Sequence, residues 1–346
     1  MKAAILYKYN EDLVYDDVPK PELIEADDVI VKIVGAGVCR TDLHEKEGKQ
    51  EERTHLPLIL GHENVGFVDE ISDQSYEFLK GQPVIMYPYI TRGYCLNCRR
   101  GNDIFCTENP YVPGIDVNGG YAEFLKTKVR SLVSLPNSIS KDEMIRMAPI
   151  ADAGITVYHA IKKIRHLLIP DSTVVVIGAG GGLGHMAVQI IKNMSTATII
   201  AVDKNEHATR LAEDLGADYG IVAGTDNAIK EVLEITHGTG AEIVFDFVGE
   251  GSATINAVKM IKNQGTLSVI GYGGTFCEST HDLITREINI IGNLVGNYSE
   301  FVEMVSLYLQ HKFKVVGPTY SLKNANNALE DLKYNRYQGR ATLMPS

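Results

Sequence analysis

The chain has 346 residues, 45% of them hydrophobic and 22% charged, with a formal net charge of −11 at pH 7. At roughly 150 residues per domain this length predicts two domains, each with enough apolar surface for its own core, and it excludes a disordered chain. The acidic balance repels a nucleic-acid backbone, no run approaches the ~20 apolar residues of a membrane span, and the N-terminal MKAAILYKYNEDLVYDD turns acidic too early for a signal peptide. The expected protein is cytosolic, with no nucleic-acid or membrane partner.

From Met1 to about Ile155 the pattern is one of short β-type runs, such as 29–38 and 64–71, broken by Gly/Pro-rich turns. A helix-like stretch at 158–168 then leads into the apolar run 173–178. Beyond it come a strand at 198–203, a helix at 206–216, a strand at 219–224, a helix at 226–236, and strands at 242–249 and 266–274. Continuous apolar strands alternating with helices predict a doubly wound parallel sheet covered on both faces. A further helix is expected over 300–312, and the tail that follows returns to the first domain. The expected division is therefore 1–155 with 297–346, and 156–296.

Residues Val174 to Gly184 join a buried strand to a helix through Gly178, Gly180, Gly181, Gly182, Leu183 and Gly184. Such a turn lets the backbone approach a pyrophosphate, whose charge is stabilised by the amide groups and dipole at the helix start. Asp203 ends the next strand about twenty residues further on, where a carboxylate accepts hydrogen bonds from ribose hydroxyls and repels a 2′-phosphate. NAD is thus expected over NADP, with the neighbouring Lys204 softening the preference.

Five cysteines occur, Cys39, Cys95, Cys98, Cys106 and Cys277, and the odd count points to thiolate chemistry or metal rather than disulfides. Cys39 and His62 each follow a predicted strand, and both are good Zn²⁺ ligands. By spacing alone, a buried small thiol and a satisfied core imidazole fit them as well.

Four motifs in order carry a resemblance: Cys39-Arg40-Thr41-Asp42-Leu43-His44, Gly61-His62-Glu63-Asn64-Val65-Gly66, Ala148-Pro149-Ile150-Ala151-Asp152-Ala153-Gly154, and the Gly178–Gly184 loop. Over nearly its whole length the chain resembles the zinc-dependent medium-chain alcohol dehydrogenases, above all archaeal and bacterial members. The resemblance implies an α/β protein with a GroES-like, β-rich catalytic domain and a doubly wound Rossmann domain, assembled as a homotetramer or dimer. It also implies hydride transfer between a small alcohol, a secondary alcohol or polyol, and NAD. An aldose 1-dehydrogenase of the same family is the near alternative, and a non-catalytic NAD-binding relative is the alternative of another class.

Carried over by motif, Cys39, His62 and Asp152 hold the catalytic zinc, and their two negative charges balance those of the ion. Asp42 orients His62, or else it is a helix-start carboxylate. Glu63 approaches the metal in some states, or is a structural acid. Thr41 and His44 relay the alcohol proton, Arg40 and more weakly Arg340 reach the cofactor phosphates, and Val248, Ile270, Leu294 and Val295 lie in segments that line the nicotinamide half. Asp246 fits either a cofactor contact or a strand-end carboxylate.

Cys95, Cys98 and Cys106 resemble three of the four cysteines of the family's structural zinc lobe. Arg92 stands at the first position, and a guanidinium does not coordinate zinc. Two readings stay open: a second zinc completed by Asp103, Glu108 or water, or a metal-free lobe in which Arg92 balances a thiolate. Cys277 is expected to be only a small side chain.

Overall fold

The computed structural model describes residues 1–224 and 227–345. Asp226, which opens the helix expected over 226–236, and Ser346, which ends the tail, lie outside the described residues.

The chain forms two compact units. The first comprises Met1–Ala153, Asn297–Val305 and the C-terminal segment from Val315. At its centre is the strand Asp28–Gly37, whose run of Val29, Ile30, Val31, Ile33 and Val34 is buried on both faces. β-Branched side chains suit such a pleated, covered position. This strand pairs antiparallel with Glu63–Ile71 on one side and with Phe124–Lys128 on the other. Beyond Phe124–Lys128 its free edge is taken by Thr342–Met344, with Thr342 opposite Gly37 and Leu343 opposite Ala36. Along its main path the sheet runs Thr319–Ser321, Thr342–Met344, Asp28–Gly37, Glu63–Ile71, Pro83–Met86, Leu132–Ser134, with Phe124–Lys128 off this path against Asp28–Gly37. A three-stranded sheet of Val14–Asp17, Lys2–Leu6 and Leu58–Ile59 shares the core, which includes Leu6, Val31, Leu60, Tyr121 and Leu343. The pairing of Thr342–Met344 carries the C-terminus to the residues just before Cys39, a placement that local sequence does not encode.

The second unit comprises Gly154–Gly296 and Ser306–Lys314. Its six parallel strands lie in the order Tyr219–Val222, Thr198–Asp203, Thr173–Ile177, Ala241–Asp246, Ile261–Val269, Asn289–Gly292. Numbered along the chain this is 3-2-1-4-5-6, the order of dinucleotide-binding doubly wound sheets. The segment 306–314, expected with the first unit, packs with the second. Gln189 explains the difference: its amide donates to the Lys314 carbonyl and accepts from the Lys314 N–H, while Asn193 donates to the Lys312 carbonyl.

Most expected elements appear within three residues of their expected bounds, but three differ more. The helix expected over 158–168 spans Ala153–Lys163 and is followed by a short 3-10 turn, Arg165–Leu167, because Ala153, Ile155, Val157, Ala160 and Ile161 together form its buried face. The strand expected over 266–274 spans Ile261–Val269, entering through a register irregularity opposite Ala241 and a left-handed Gln264. The edge strand Asn289–Gly292 was not expected; it is largely exposed and shows no alternation of apolar side chains.

A candidate metal centre and cofactor site

Cys39 caps the short helix Arg40–Lys46, its sulfur accepting from the Thr41 N–H at 3.4 Å. Asp42 closes the cap by accepting from the Cys39 N–H at 2.8 Å. His62 follows Gly61, which is left-handed at φ +98°, and Asp152 ends the 3-10 turn Ala148–Ala151. These three segments converge: the ligand atoms of Cys39, His62 and Asp152 all lie within 4.8 Å of one another. His62 Nε2 is 3.6 Å from Asp152 Oδ2, and Cys39 Sγ is 3.9 Å from the same oxygen. A tetrahedral zinc with bonds of about 2.0–2.3 Å spaces its ligands roughly 3.3–3.8 Å apart, so the donor set fits that ion and these two spacings come within about 0.1 Å of it.

The other imidazole nitrogen, Nδ1, faces Asp42 Oδ1 at 3.6 Å, and both atoms are buried with no hydrogen-bond partner within 3.5 Å among the described residues. Asp42 caps the helix with Oδ2 and faces the histidine with Oδ1. The same Oδ2 accepts from the hydroxyl of Tyr121 at 2.8 Å. Burial alone depresses the pKa of His62, but the charge of Asp42 and the hydrogen bonds of Asp152 and Cys39 outweigh it and raise it well above the usual value. Burial likewise pushes Asp152 upward, while His62 and Arg340 more than reverse this and hold it below the ordinary carboxylate range.

Glu63 stands outside the three-ligand group. Its carboxylate receives both Nε (3.1 Å) and Nη2 (2.5 Å) of Arg340 and also the Ala153 N–H at 3.0 Å. Burial raises its pKa, with Arg340 opposing. Arg340, expected at the cofactor phosphates or on the surface, is instead buried in this bidentate pair, with Nη2 3.8 Å from Asp152. The reason is the strand that follows it, which carries the residue into the core. Sequence reasoning missed this pair because its members are 277 positions apart. Within the same helix, Arg40 is exposed, Thr41 half-buried and His44 buried rather than on the surface.

The glycine loop leaves the strand Thr173–Ile177 and enters the helix Gly184–Met194. Gly178 is left-handed at φ +80°, and a Cβ on Gly184 would meet the Gly178 carbonyl at 2.1 Å, so neither place tolerates a side chain. Asp203 Oδ2 accepts from the Gly180 N–H at 2.9 Å, tying the acidic residue to the loop itself. Burial raises its pKa. Lys204 beside it is exposed, Ile270 buried, Val248 and Val295 half-buried and Leu294 exposed. Asp246 is a strand-end carboxylate, accepting from the N–H groups of Val248 and Gly249 and from the Thr254 hydroxyl.

The second thiol cluster is local. Cys95 Sγ lies 3.4 Å from Cys98 Sγ and 3.9 Å from Cys106 Sγ, three corners of a thiolate site. Backbone N–H groups of Cys98 and Thr107 pull the Cys95 thiol down to about 6, while burial pushes Cys98 up to about 11. No fourth ligand joins them among the described residues. Asp103 accepts from the Tyr298 N–H, Glu108 is exposed, and the Arg92 guanidinium lies 3.5 Å from Glu25. Cys277 is exposed.

Comparison with known proteins agrees with this geometry. Residues 25–137 match the alcohol dehydrogenase GroES-like domain, and residues 182–310 match the zinc-binding dehydrogenase family. The NAD-dependent alcohol dehydrogenase of Sulfurisphaera tokodaii is 35% identical, with the match covering 100% of both chains. The D-arabinose 1-dehydrogenase (NADP(+)) of Saccharolobus solfataricus is 33% identical over 99% of this chain and 97% of that protein. The crystal structure of the alcohol dehydrogenase from the archaeon Aeropyrum pernix superposes with a TM-score of 0.96 at 44% identity, covering all of both chains. With its ligand set, its strand order and its full-length relatives in agreement, the chain belongs to the zinc-dependent medium-chain alcohol dehydrogenase family.

Proposed function

We propose that the protein oxidises a small secondary alcohol or polyol to the corresponding ketone or aldehyde, and runs the reverse reaction, with NAD as hydride carrier. The convergence of Cys39, His62 and Asp152 on one point carries this reading. When bound, zinc supplies a Lewis acid for the substrate oxygen and NAD supplies the two-electron acceptor. Cys39, His62 and Asp152 hold the metal, and Asp42 sets the tautomer and orientation of His62. The Thr41 hydroxyl takes the proton of the alcohol, and His44 passes it on toward solvent. The Gly178–Gly184 loop and the helix it opens bind the pyrophosphate, assisted by Arg40, while Asp203 takes the ribose hydroxyls and disfavours NADP. Val248, Ile270, Leu294 and Val295 supply apolar contacts to the nicotinamide half. Glu63 and Arg340 neutralise one another beside the ligands and keep Asp152 ionised.

A substrate panel followed by absorbance of the reduced nicotinamide, with metal analysis of the parent and of Cys39→Ser, tests the reading. Equal metal content in the two proteins, or no turnover with any alcohol, would refute it and leave a non-catalytic NAD-binding relative. Aldoses belong in the panel because the arabinose dehydrogenase matches over the full length. A cytosolic location and assembly as a homotetramer or dimer complete the proposal, the latter checked by light scattering.

A further inference from the structure

We propose that Tyr121 is a positioning residue of the metal centre, its hydroxyl fixing Asp42 and, through Asp42, the imidazole of His62. The proposal rests on the zinc reading of Cys39, His62 and Asp152 given above. Tyr121 is fully buried, and a buried phenol is costly unless its O–H finds an acceptor. That acceptor is Asp42 Oδ2 at 2.8 Å, with the Gly37 carbonyl further off at 3.4 Å.

The arrangement divides the Asp42 carboxylate into two ends. Oδ2 is held by two donors, the Cys39 N–H and the Tyr121 hydroxyl, and Oδ1, with no hydrogen-bond partner among the described residues, faces His62 Nδ1 at 3.6 Å. With one donor removed, the carboxylate regains freedom about its last torsion and the imidazole loses its fixed partner. The same ring also lies against the backbone in front of His62: a Cβ on Gly61 would stand 2.4 Å from Tyr121 Cδ1. Tyr121 therefore touches the histidine ligand's chain on one side and its carboxylate partner on the other. Burial, and then the charge of Asp42, raise the pKa of the phenol well above its usual value, so it stays a donor over the working range of pH.

Tyr121→Phe keeps the ring and deletes only the donor. The measurement is the rate at which the zinc equivalent missing from Cys39→Ser passes to a chromophoric chelator, made on the parent, Y121F, D42N and the double variant, alongside melting of the metal-free forms. Partners behind metal ligands contribute about 10–100-fold to metal affinity, so Y121F is expected to release that zinc roughly tenfold faster. Any loss of metal-free melting in Y121F comes from the deleted bond to Asp42, and Y121F adds nothing to release or melting in the D42N background. Unchanged release from Y121F, or an equal acceleration with and without Asp42, overturns the proposal. So does a fall in metal-free melting temperature that persists in the D42N background, which assigns the residue to packing. If Cys39→Ser and the parent hold the same zinc, it is the metal reading itself that fails.

Discussion

Two thiol-bearing clusters in the first unit are built in opposite ways. Cys95, Cys98 and Cys106 come from one short loop, and the helical turn Leu96–Arg99 with the 3-10 turn Asp103–Phe105 brings their sulfurs together. Cys39, His62 and Asp152 come from three distant segments, and two of them have buried polar neighbours: Asp42 and Tyr121 behind the histidine, Glu63 and Arg340 beside the aspartate. A local cluster is visible in spacing yet ends incomplete, with three ligands. The dispersed cluster is invisible in spacing yet carries its own support. Structural metal sites are closed and catalytic ones keep an open corner, so ligand count alone does not separate the two here; the buried network does.

The comparison is broken most directly at Cys39. Cys39→Ser should lose one metal equivalent and drop kcat/KM on the order of a thousandfold, the several kcal/mol of charge stabilisation expected of a catalytic metal. Elemental analysis and steady-state kinetics read it. Next in size is the buried ion pair: Arg340→Met leaves the Glu63 charge unpaired and should destabilise the protein by about 3–5 kcal/mol, with Glu63→Gln in the same chain restoring part of the loss. Thermal melting of the three variants decides whether the support behaves as a unit.

Cys98→Ser should act on the other side of the comparison, lowering resistance to heat while leaving kcat/KM near that of the parent. Zinc lost from this variant in addition identifies the lobe as a metal site; unchanged zinc identifies it as metal-free. The smallest effect belongs to Glu45, buried on the same helix as Asp42 and hydrogen-bonded by the Thr54 hydroxyl. Burial lifts its pKa from 4.5 to about 6, so the folded protein takes up this proton more readily than the unfolded chain. The associated stability is fullest below the unfolded value and is lost as pH rises through about 6. Glu45→Gln should flatten that slope by on the order of 1–2 kcal/mol, read from melting temperatures on either side of the transition.

Much of the fold is legible in the chain. The apolar runs of Thr173–Ile177, Thr198–Asp203 and Ala241–Asp246 are buried on both faces, and a central parallel strand needs nothing more than that pattern. Asn289–Gly292 escaped because an exposed edge strand has no such requirement. In the site, Asp42 was legible as a helix-start acid because a helix start is a local device, whereas the cap formed by Cys39 itself was not. Tyr121 carried no signal and that of Arg340 pointed to the cofactor phosphates, since each meets its partner only where the fold brings distant segments together.

The sequence by itself determined the classes of chemistry: a glycine loop after a buried strand, an acid at the end of the next, and soft ligands in recognisable motifs. These depend on backbone conformations and residue types that act over a few positions. Only the tertiary structure decided that Glu63 belongs to Arg340 rather than to the ligand group, that Asp42 is gripped from two sides, and that Arg92 points to Glu25 and not to a thiolate. The first two outcomes follow from burial, because a charge removed from water takes whichever partner the folded core places within reach, however far away along the chain.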